Sequence, residues 1–273
     1  MIILIVVLAS ALACTLVWIG RRLYRDSQER RQRRLADRHG VIPIEKVPVT
    51  AIHHDFVLGP LGPDRERTEI VMVGGGGYVV PGGTTDFEAW VLAVLAKRAS
   101  RMFEFGTCTG RTTYLWARNS PPDATVTTLT LGPEQRELYQ ASDTDRAEDR
   151  DIALEESDFE SFLYTGTDVS HKVKQLFGDS KLFDESPYAR QVDLIFVDGS
   201  HAYSYVVSDT QKALRMIRPG GLILWHDYEG PLVGRGTDVA LVELARELPL
   251  FHIIGTRMVG YRVPLDTAVE SPG

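Results

Sequence analysis

Cysteine is scarce in this chain, and no segment of the sequence is repeated. The 273 residues include two cysteines, Cys14 in an apolar leader and Cys108 in a polar turn. Two cysteines placed so far apart argue against a disulfide framework, which needs several paired cysteines. The apolar fraction of 44% is ordinary for a globular protein, and the length allows one large domain or two small ones.

The chain also lacks an excess of positive charge outside one short segment. Its formal net charge is −7 at pH 7, although many arginines lie between residues 21 and 38. Without that basic segment, the remainder of the chain carries about −12, which opposes the binding of a polyanion. Nucleic-acid binding is the competing interpretation of the basic run, and this charge balance argues against it.

No lysine or arginine precedes the apolar run at residues 2–19. The run is just long enough to cross a hydrocarbon core of ~30 Å as a helix. A cleavable signal peptide is the alternative, but it would carry its positive charge before the apolar core. The arginines that follow predict a transmembrane helix over residues 1–20, with the rest of the chain in the cytoplasm. Residues 21–81 are expected to form a basic juxtamembrane helix that contacts anionic lipid, followed by a connector.

Two common phosphate-binding motifs are missing from the sequence. Residues 101–113 indicate a strand, a glycine turn and a helix start, with the spacing Glu104-x-Gly106-x-x-x-Gly110. This is neither the Gly-x-Gly-x-x-Gly of dinucleotide binders nor a phosphate loop with its lysine. A carboxylate before the glycines would repel a pyrophosphate and suits a cationic ligand. A purely structural glycine turn is the alternative.

The sequence does contain two apolar runs that end abruptly in ionisable residues. Residues 192–197 and 218–225 are typical of strands buried on both faces of a parallel sheet, and residues 203–217 between them have helical periodicity. Such a strand–helix–strand unit crosses over in the right-handed sense. Ligands of open α/β sheets bind outside the carboxyl ends of the strands. These ends carry Asp198 and His201 after the first run, and His226 and Asp227 after the second.

These motifs resemble those of class I S-adenosylmethionine-dependent methyltransferases, over about residues 82–262. Glu104-Phe-Gly-Thr-Cys-Thr-Gly110 resembles the first motif of that family, and Arg218-Pro-Gly-Gly-Leu-Ile-Leu224 resembles its late-strand motif. The Asp-Gly-Ser-His and His-Asp-Tyr stretches are similar to those of metal-dependent sugar O-methyltransferases of the macrocin O-methyltransferase type. The resemblance implies a Rossmann-like α/β sheet, mostly parallel with a C-terminal antiparallel hairpin, in a methyltransferase domain at residues 82–273.

The same resemblance implies a site for S-adenosylmethionine. Many relatives end their second strand, here residues 125–131, with an acid that binds the ribose. This chain has Thr130 there, and Glu134 is the candidate substitute. Asp179 would lie beside the adenine, or it is simply a turn residue after Gly178. The implied cofactor-binding residues are Glu104, Gly106, Thr107, Gly110, Glu134, Asp179 and Asp198.

Asp198 and Asp227 end strands that should be neighbours, so their carboxylates could share one divalent cation. Oxygen ligands favour Mg²⁺ or Mn²⁺, and such a cation lowers the pKa of a bound alcohol. His226 is the third candidate ligand, but adjacent strand residues point to opposite faces, so its role stays open. His201 is the candidate general base, with Asp198 beside it, because an imidazole titrates near neutrality. Capping of the following helix is the structural alternative for His201.

Other segments frame this site. A helix over residues 86–99 is expected to begin after Thr84 or Thr85, and residues 250–255 and 258–263 are expected to form the final hairpin. The acidic segment 137–160 predicts a solvated helix or a lid.

The predicted function is that of an S-adenosylmethionine-dependent O-methyltransferase at the membrane, which methylates a hydroxyl group of a small molecule. The acceptor class is a sugar, a polyol or a natural product, with assistance from a divalent metal. Two alternatives stay open. One is a catalytically silent methyltransferase-like module that binds a partner at the membrane, favoured by the missing acid at Thr130. The other is a metal-dependent hydrolase or hydroxylase that uses the same fold.

Overall fold

A computed structural model describes residues 43–75 and 83–265, together with Thr15, Ile19, Gly20, Arg22 and Leu23. The chain divides into one unit that ends at Pro43 and a second, compact unit that begins at Ile44. The predicted transmembrane helix over residues 1–20 lies almost wholly outside the described residues. Among the residues that are described, no helix combines the length and the apolar character needed to cross a membrane.

Eight strands of the compact unit form one sheet, and two short strands form a separate hairpin. Numbered along the chain, the strands are β1 (Glu45–Val47), β2 (Leu58–Gly59), β3 (Gly62–Pro63), β4 (Arg101–Phe105), β5 (Thr125–Thr130), β6 (Val173–Phe177), β7 (Val192–Val197), β8 (Ile217–Trp225), β9 (Phe251–Ile253) and β10 (Val259–Arg262). The order across the sheet is β1-β9-β10-β8-β7-β4-β5-β6, and β2 pairs with β3.

The sheet is parallel except at β10. Strand β10 runs antiparallel to both of its neighbours, β8 and β9, so the predicted C-terminal hairpin is confirmed. Within the connector predicted over residues 21–81, Glu45–Val47 adds a parallel edge strand to β9. This pairing has no signature in the sequence, since three residues are too few to show a period.

Six helices lie between the strands within the described part of the chain. They are α1 (Arg65–Thr68), α2 (Asp86–Ala96), α3 (Arg111–Asn119), α4 (Ala147–Glu156), α5 (Tyr203–Met216) and α6 (Gly236–Leu244). Helix α2 begins with a capping box, in which the Thr85 side chain accepts from the Glu88 backbone N–H and the Glu88 carboxylate accepts from the Thr85 N–H. Thr85, rather than Thr84, is therefore the N-cap, and the helix ends three residues before the predicted position.

The strands β7 and β8 form the centre of the core. Ile195, Phe196, Ile223 and Leu224 are fully buried, which explains why both strands are apolar at successive positions. Their parallel register, which shifts once between Val192 and Leu194, brings Val197 of β7 opposite Trp225 of β8. The ends of the two strands are thereby fixed side by side, and the ionisable residues that follow them must lie close together.

The order of strands reverses direction between β4 and β7. From β4 the chain continues outward to β5 and β6, and it then returns to β7 on the other side of β4. In open α/β sheets, such a switch point opens a crevice at the carboxyl ends of the strands. The turn after β4 and the residues after β7 form the walls of this crevice.

Candidate functional site

The glycine turn after β4 is packed directly against the end of β7. Gly106 has a φ of +94°, and a Cβ at this position would lie 2.0 Å from the backbone oxygen of Asp198. No residue with a side chain fits there without moving one of the two backbones. Gly110 has a φ of +75° and is the N-cap of α3, with the rings of Phe162 and Tyr164 close to its Cα. Both glycines are therefore required by the turn itself.

Glu104 is a buried acid at the end of β4. Its carboxyl group accepts hydrogen bonds from the hydroxyl groups of Thr113 and Thr128, the latter at 2.8 Å. Burial raises the pKa of Glu104 to about 8, more than these two hydrogen bonds lower it. The residue lines a small cavity next to the glycine turn, together with Thr107 and Asp198. Glu104, which the sequence predicts as a cofactor-binding residue, thus lies in this cavity wall and is largely protonated at neutral pH.

The larger cavity of the crevice lies between the turn and the segment after β5. Three of the predicted cofactor residues, Gly106, Asp179 and Asp198, line it. The Asp179 carboxylate is already used within the protein, since it accepts from the Tyr205 hydroxyl at 2.7 Å and from the Gln140 backbone N–H at 3.1 Å. Tyr139 stacks on Tyr205 with their ring centroids 4.5 Å apart, which closes one side of this cavity.

The remaining predicted cofactor residues lie elsewhere. Glu134 is exposed on the short 3₁₀ helix Pro133–Leu138 and is not among the residues that line the larger cavity. The Thr107 hydroxyl is hydrogen-bonded to the Thr128 hydroxyl at 2.8 Å. Thr130, where many relatives are expected to have an acid, does line the larger cavity.

The four ionisable residues predicted at the strand ends do converge. His201 Nε2 lies 2.8 Å from Asp227 Oδ2, and His226 Nδ1 lies 3.0 Å from Asp198 Oδ1 and 3.2 Å from Asp227 Oδ2. Asp227 has a φ of +60°, a conformation that is uncommon outside glycine and is found at functional sites. We call Asp198, His201 and Asp227 the acid–imidazole cluster.

The charges of this cluster shift its pKa values in opposite directions. Burial alone would raise the pKa of Asp227, but the hydrogen bonds and charges of His201 and His226 hold it well below its usual range. Burial would lower the pKa of His201, and its pairing with Asp227 instead raises it to about 9. Burial raises the pKa of Asp198, because desolvation outweighs the attraction of His226. Without a bound cation, His201 is therefore a proton donor at neutral pH.

His226 is surrounded by carboxylates on both ring nitrogens. Its Nδ1 contacts Asp198 and Asp227, and its Nε2 lies 3.4 Å from Glu88 Oε2. Burial would lower its pKa, but the Asp198 charge and hydrogen bond raise the pKa well above the usual value. His226 Nδ1 thus lies between the two aspartates, and its role as a metal ligand stays a prediction.

The donor set of the acid–imidazole cluster fits a divalent cation. One ligand atom from each of Asp198, His201 and Asp227 lies within 4.8 Å of the other two. Two carboxylates with one imidazole suit a hard or borderline divalent ion. Of the two histidines predicted at this site, His201 rather than His226 supplies the third converging atom. The ring of His201 does not cap α5, whose N-cap is Ala202.

Three charged residues of the site escaped prediction. Glu88 faces His226. Its contact with His226 and the backbone N–H groups of Arg257 and Thr85 outweigh the effect of burial and lower the pKa of Glu88 to about 2. Arg257 Nη1 lies 2.6 Å from Asp227 Oδ1. Glu156, from the acidic segment, lines both cavities. The capping-box spacing Thr85-x-x-Glu88 marked a helix start, and nothing in the sequence connected it to β8.

Comparison with known proteins agrees with this geometry. Residues 103–228 match the family described as a methyltransferase domain. This match confirms the predicted class of enzyme, an S-adenosylmethionine-dependent methyltransferase. The matched range runs from β4 through the end of β8, so it includes the glycine turn and the whole acid–imidazole cluster. Among curated proteins, no match to the sequence is found.

Solved structures with a similar arrangement are distant in sequence. The O-methyltransferase TomG from Streptomyces achromogenes, involved in tomaymycin synthesis and solved with SAM, is 17% identical, with 66% of this chain and 82% of TomG covered and a TM-score of 0.44. The SAH-bound methyltransferase PaMTH1 from Podospora anserina is 15% identical, with 68% and 81% covered and a TM-score of 0.48. A SAM-dependent O-methyltransferase from Thermotoga maritima is 15% identical, with 68% of each chain covered and a TM-score of 0.45. Scores this low carry no functional argument.

Proposed function

We propose that this methyltransferase transfers a methyl group from S-adenosylmethionine to a hydroxyl oxygen of a sugar, a polyol or a natural product. The observation that carries the proposal is the acid–imidazole cluster beside the glycine turn. The His201–Asp227 contact of 2.8 Å places a group that can take up a proton next to the crevice. A hydroxyl acceptor needs such a group, because its proton must leave as the oxygen attacks the methyl carbon.

Each residue of the cluster has a distinct part in this proposal. Asp227 fixes the ring of His201 and keeps its own negative charge, since its pKa is held low. His201 receives the acceptor proton, and Asp198, packed on Gly106, borders the donor. S-adenosylmethionine supplies an electrophilic methyl group on a sulfonium. The chain's contribution is to align acceptor oxygen and methyl group and to remove the proton.

We further propose that Asp198 and Asp227 hold a divalent cation beside His201, with Mg²⁺ or Mn²⁺ as the candidates. Such a cation lowers the pKa of a bound hydroxyl group and orients it. The support is the convergence of three ligand atoms and the excess of carboxylates around them. The positive charge of the cation would lower the raised pKa of His201, so that the neutral imidazole can accept the hydroxyl proton.

The location proposed for the enzyme is the membrane, through the apolar run at residues 2–19 and the arginines after it, with the methyltransferase domain in the cytoplasm. Its support is the charge asymmetry of the sequence. No nucleic-acid partner is proposed, since the remainder of the chain is acidic.

Calorimetric titration of the full chain with S-adenosylmethionine and S-adenosylhomocysteine, with and without Mg²⁺, tests the cofactor. Release of S-adenosylhomocysteine in the presence of a panel of sugars, polyols and phenols then identifies the acceptor class. Binding of the cofactor together with turnover on a hydroxyl compound is the expected result. Turnover on amines alone, or the absence of any cofactor binding, would contradict the proposal.

Asp227→Asn tests the role of the cluster once turnover has been found. The variant should lose turnover by about 10²–10⁴-fold, because His201 loses the group that orients it. Its affinity for the cofactor should change little, since the glycine turn is intact. Asp143→Asn, an exposed aspartate of the acidic segment, is the matched control and should behave as the parent. Full turnover after treatment with EDTA would exclude the metal and leave proton removal to His201.

A further inference from the structure

Glu156 differs from the other acids of the segment at residues 137–160. Its immediate neighbour Glu155 is exposed, as are Glu148 and Asp151 on the same helix, α4. Glu156 is the last residue of α4 and is largely buried. It lines the larger cavity of the crevice and also the small cavity beside the glycine turn. Asp149 of the same helix is also buried, but it lines neither cavity, whereas the Glu156 carboxyl lies where the two cavities meet.

The Glu156 carboxyl has no partner of its own. Within residues 43–75 and 83–265, no hydrogen bond or ion pair to it is formed, whereas Asp198 contacts His226 and Glu104 accepts from Thr113 and Thr128. A buried carboxyl group without a donor is unfavourable. Burial accordingly raises the pKa of Glu156 to about 7, and the charges of His201, Asp198 and Asp227 act on it from the other side of the cavity. A positive charge in the cavity would stabilise the ionised form of the Glu156 carboxyl group.

The walls of the two cavities indicate where a positive charge could pair with Glu156. Both are lined by Gly106, Cys108, Glu156 and Asp198. This shared wall lies between the glycine turn, where the donor binds in the proposed function, and the acid–imidazole cluster, where the acceptor binds. The cation of the small cavity wall, Arg111, is already engaged, since its guanidinium contacts Asp86 and the carbonyl groups of Val73 and Thr84. The charge that Glu156 lacks is therefore expected from a ligand.

We propose that Glu156 recognises the sulfonium charge of S-adenosylmethionine and so makes the site prefer the methyl donor over its product. This inference rests on the proposed function. During transfer the bond from sulfur to the methyl carbon breaks with its electron pair going to sulfur, the oxygen–carbon bond forms, and the hydroxyl proton passes to His201. The sulfur becomes a neutral thioether. Glu156 then loses its partner, and the product S-adenosylhomocysteine is held less tightly than the donor.

The test compares the affinities of the full chain for donor and product by calorimetry. In Glu156→Gln, we expect the affinity for S-adenosylmethionine to fall roughly tenfold, the effect of losing one partly buried charge pair. The affinity for S-adenosylhomocysteine should stay within about twofold of the parent, because that ligand lacks the charge. Glu155→Gln is the matched control on the same helix and should leave both affinities unchanged.

Other results would overturn the inference. An equal loss for donor and product would assign Glu156 to a part that both ligands share, such as the α-ammonium group. Altered Mg²⁺ affinity with unchanged cofactor affinities would assign it to the cation. If Glu156→Gln does not fold, Glu156→Asp replaces it. The affinity for S-adenosylmethionine divided by the affinity for S-adenosylhomocysteine should then lie between the value of the parent and a value of one. Should the parent bind neither ligand, the proposed function itself is wrong, which is a distinguishable outcome.

Discussion

At the scale of single residues, the buried acids of the site fall into two groups. Glu104 and Glu156 have raised pKa values because burial dominates, and the donors around them are hydroxyl groups or are missing. Glu88 and Asp227 have lowered pKa values because cationic histidines lie against them. Fixed negative charge therefore lies at Glu88 of α2 and at Asp227 after β8, whereas Glu104 of β4 and Glu156 of α4 are acids whose ionisation a bound charge would change.

The raised pKa of Glu104 predicts a pH-dependent difference in stability between the parent and Glu104→Gln. An unfolded chain releases the Glu104 proton near pH 4.5, and the folded chain keeps it up to about pH 8. Between these values the unfolded state binds fewer protons, so the contribution of Glu104 to stability falls as the pH rises. Relative to Glu104→Gln, which cannot ionise, the parent should lose up to about 1.4 kcal/mol per pH unit.

Urea denaturation at several pH values between 5 and 8 measures this difference. Glu137→Gln, at an exposed position, is the control and should follow the parent at every pH. A free-energy difference between parent and Glu104→Gln that is independent of pH would show that Glu104 is ionised inside the folded protein.

At the scale of elements, the site depends on a contact between two backbones. The turn after β4 and the first residues after β7 touch where Gly106 meets the carbonyl group of Asp198. This contact fixes the distance between the donor cavity and the acid–imidazole cluster. Gly110 has a second function, because the rings of Phe162 and Tyr164 pack over it. Substitution at either glycine therefore changes the fold as well as the cavity.

Gly106→Ala and Gly166→Ala separate the backbone contact from backbone strain. Both glycines have positive φ values, +94° and +72°, but a Cβ at Gly166 would meet nothing within 4 Å. Gly166→Ala should cost about 1 kcal/mol of stability from its left-handed conformation alone. Gly106→Ala should cost clearly more, roughly 3 kcal/mol, because the turn must also move away from β7. Equal midpoints of urea denaturation for the two variants would argue that the turn after β4 yields easily.

Much of this architecture could be predicted from the sequence, because the signals are local. The apolar runs of β7 and β8 gave strands within one residue of their ends, and strand ends in a parallel sheet place Asp198 and Asp227 together. Glu88 and Arg257 could not be predicted, since they reach the cluster from a helix start and a hairpin turn through tertiary packing. The burial of Glu156 also lacks a local signal, because exposed acids such as Glu148 and Glu155 lie on the same helix.

At the scale of the whole molecule, the compact unit and the N-terminal segment can be treated separately. The compact unit begins at Ile44 and includes every residue of the candidate site. The proposed anchor lies before that point, at residues 1–20. Removal of the anchor is therefore expected to leave the sheet and its crevice intact.

Fractionation of cells that express the full chain, or a chain without residues 1–20, tests the proposed anchor. The full chain should stay in the membrane pellet after extraction with alkaline carbonate, which releases proteins held by charge alone. The shortened chain should appear in the supernatant and bind S-adenosylmethionine with an affinity within about twofold of the parent. Recovery of the full chain in the supernatant would contradict the anchor, and loss of cofactor binding in the shortened chain would contradict the independence of the compact unit.

The pairing of β1 with β9 has a consequence for how the protein is made. Glu45 lies opposite Phe251, so β1 can pair with β9 only after the ribosome has synthesised about 200 further residues. During that interval Glu45–Val47 has no strand to pair with at this edge. We expect nascent chains stalled before residue 250 to bind chaperones through this region, and the closure of this sheet edge to be a late step of folding.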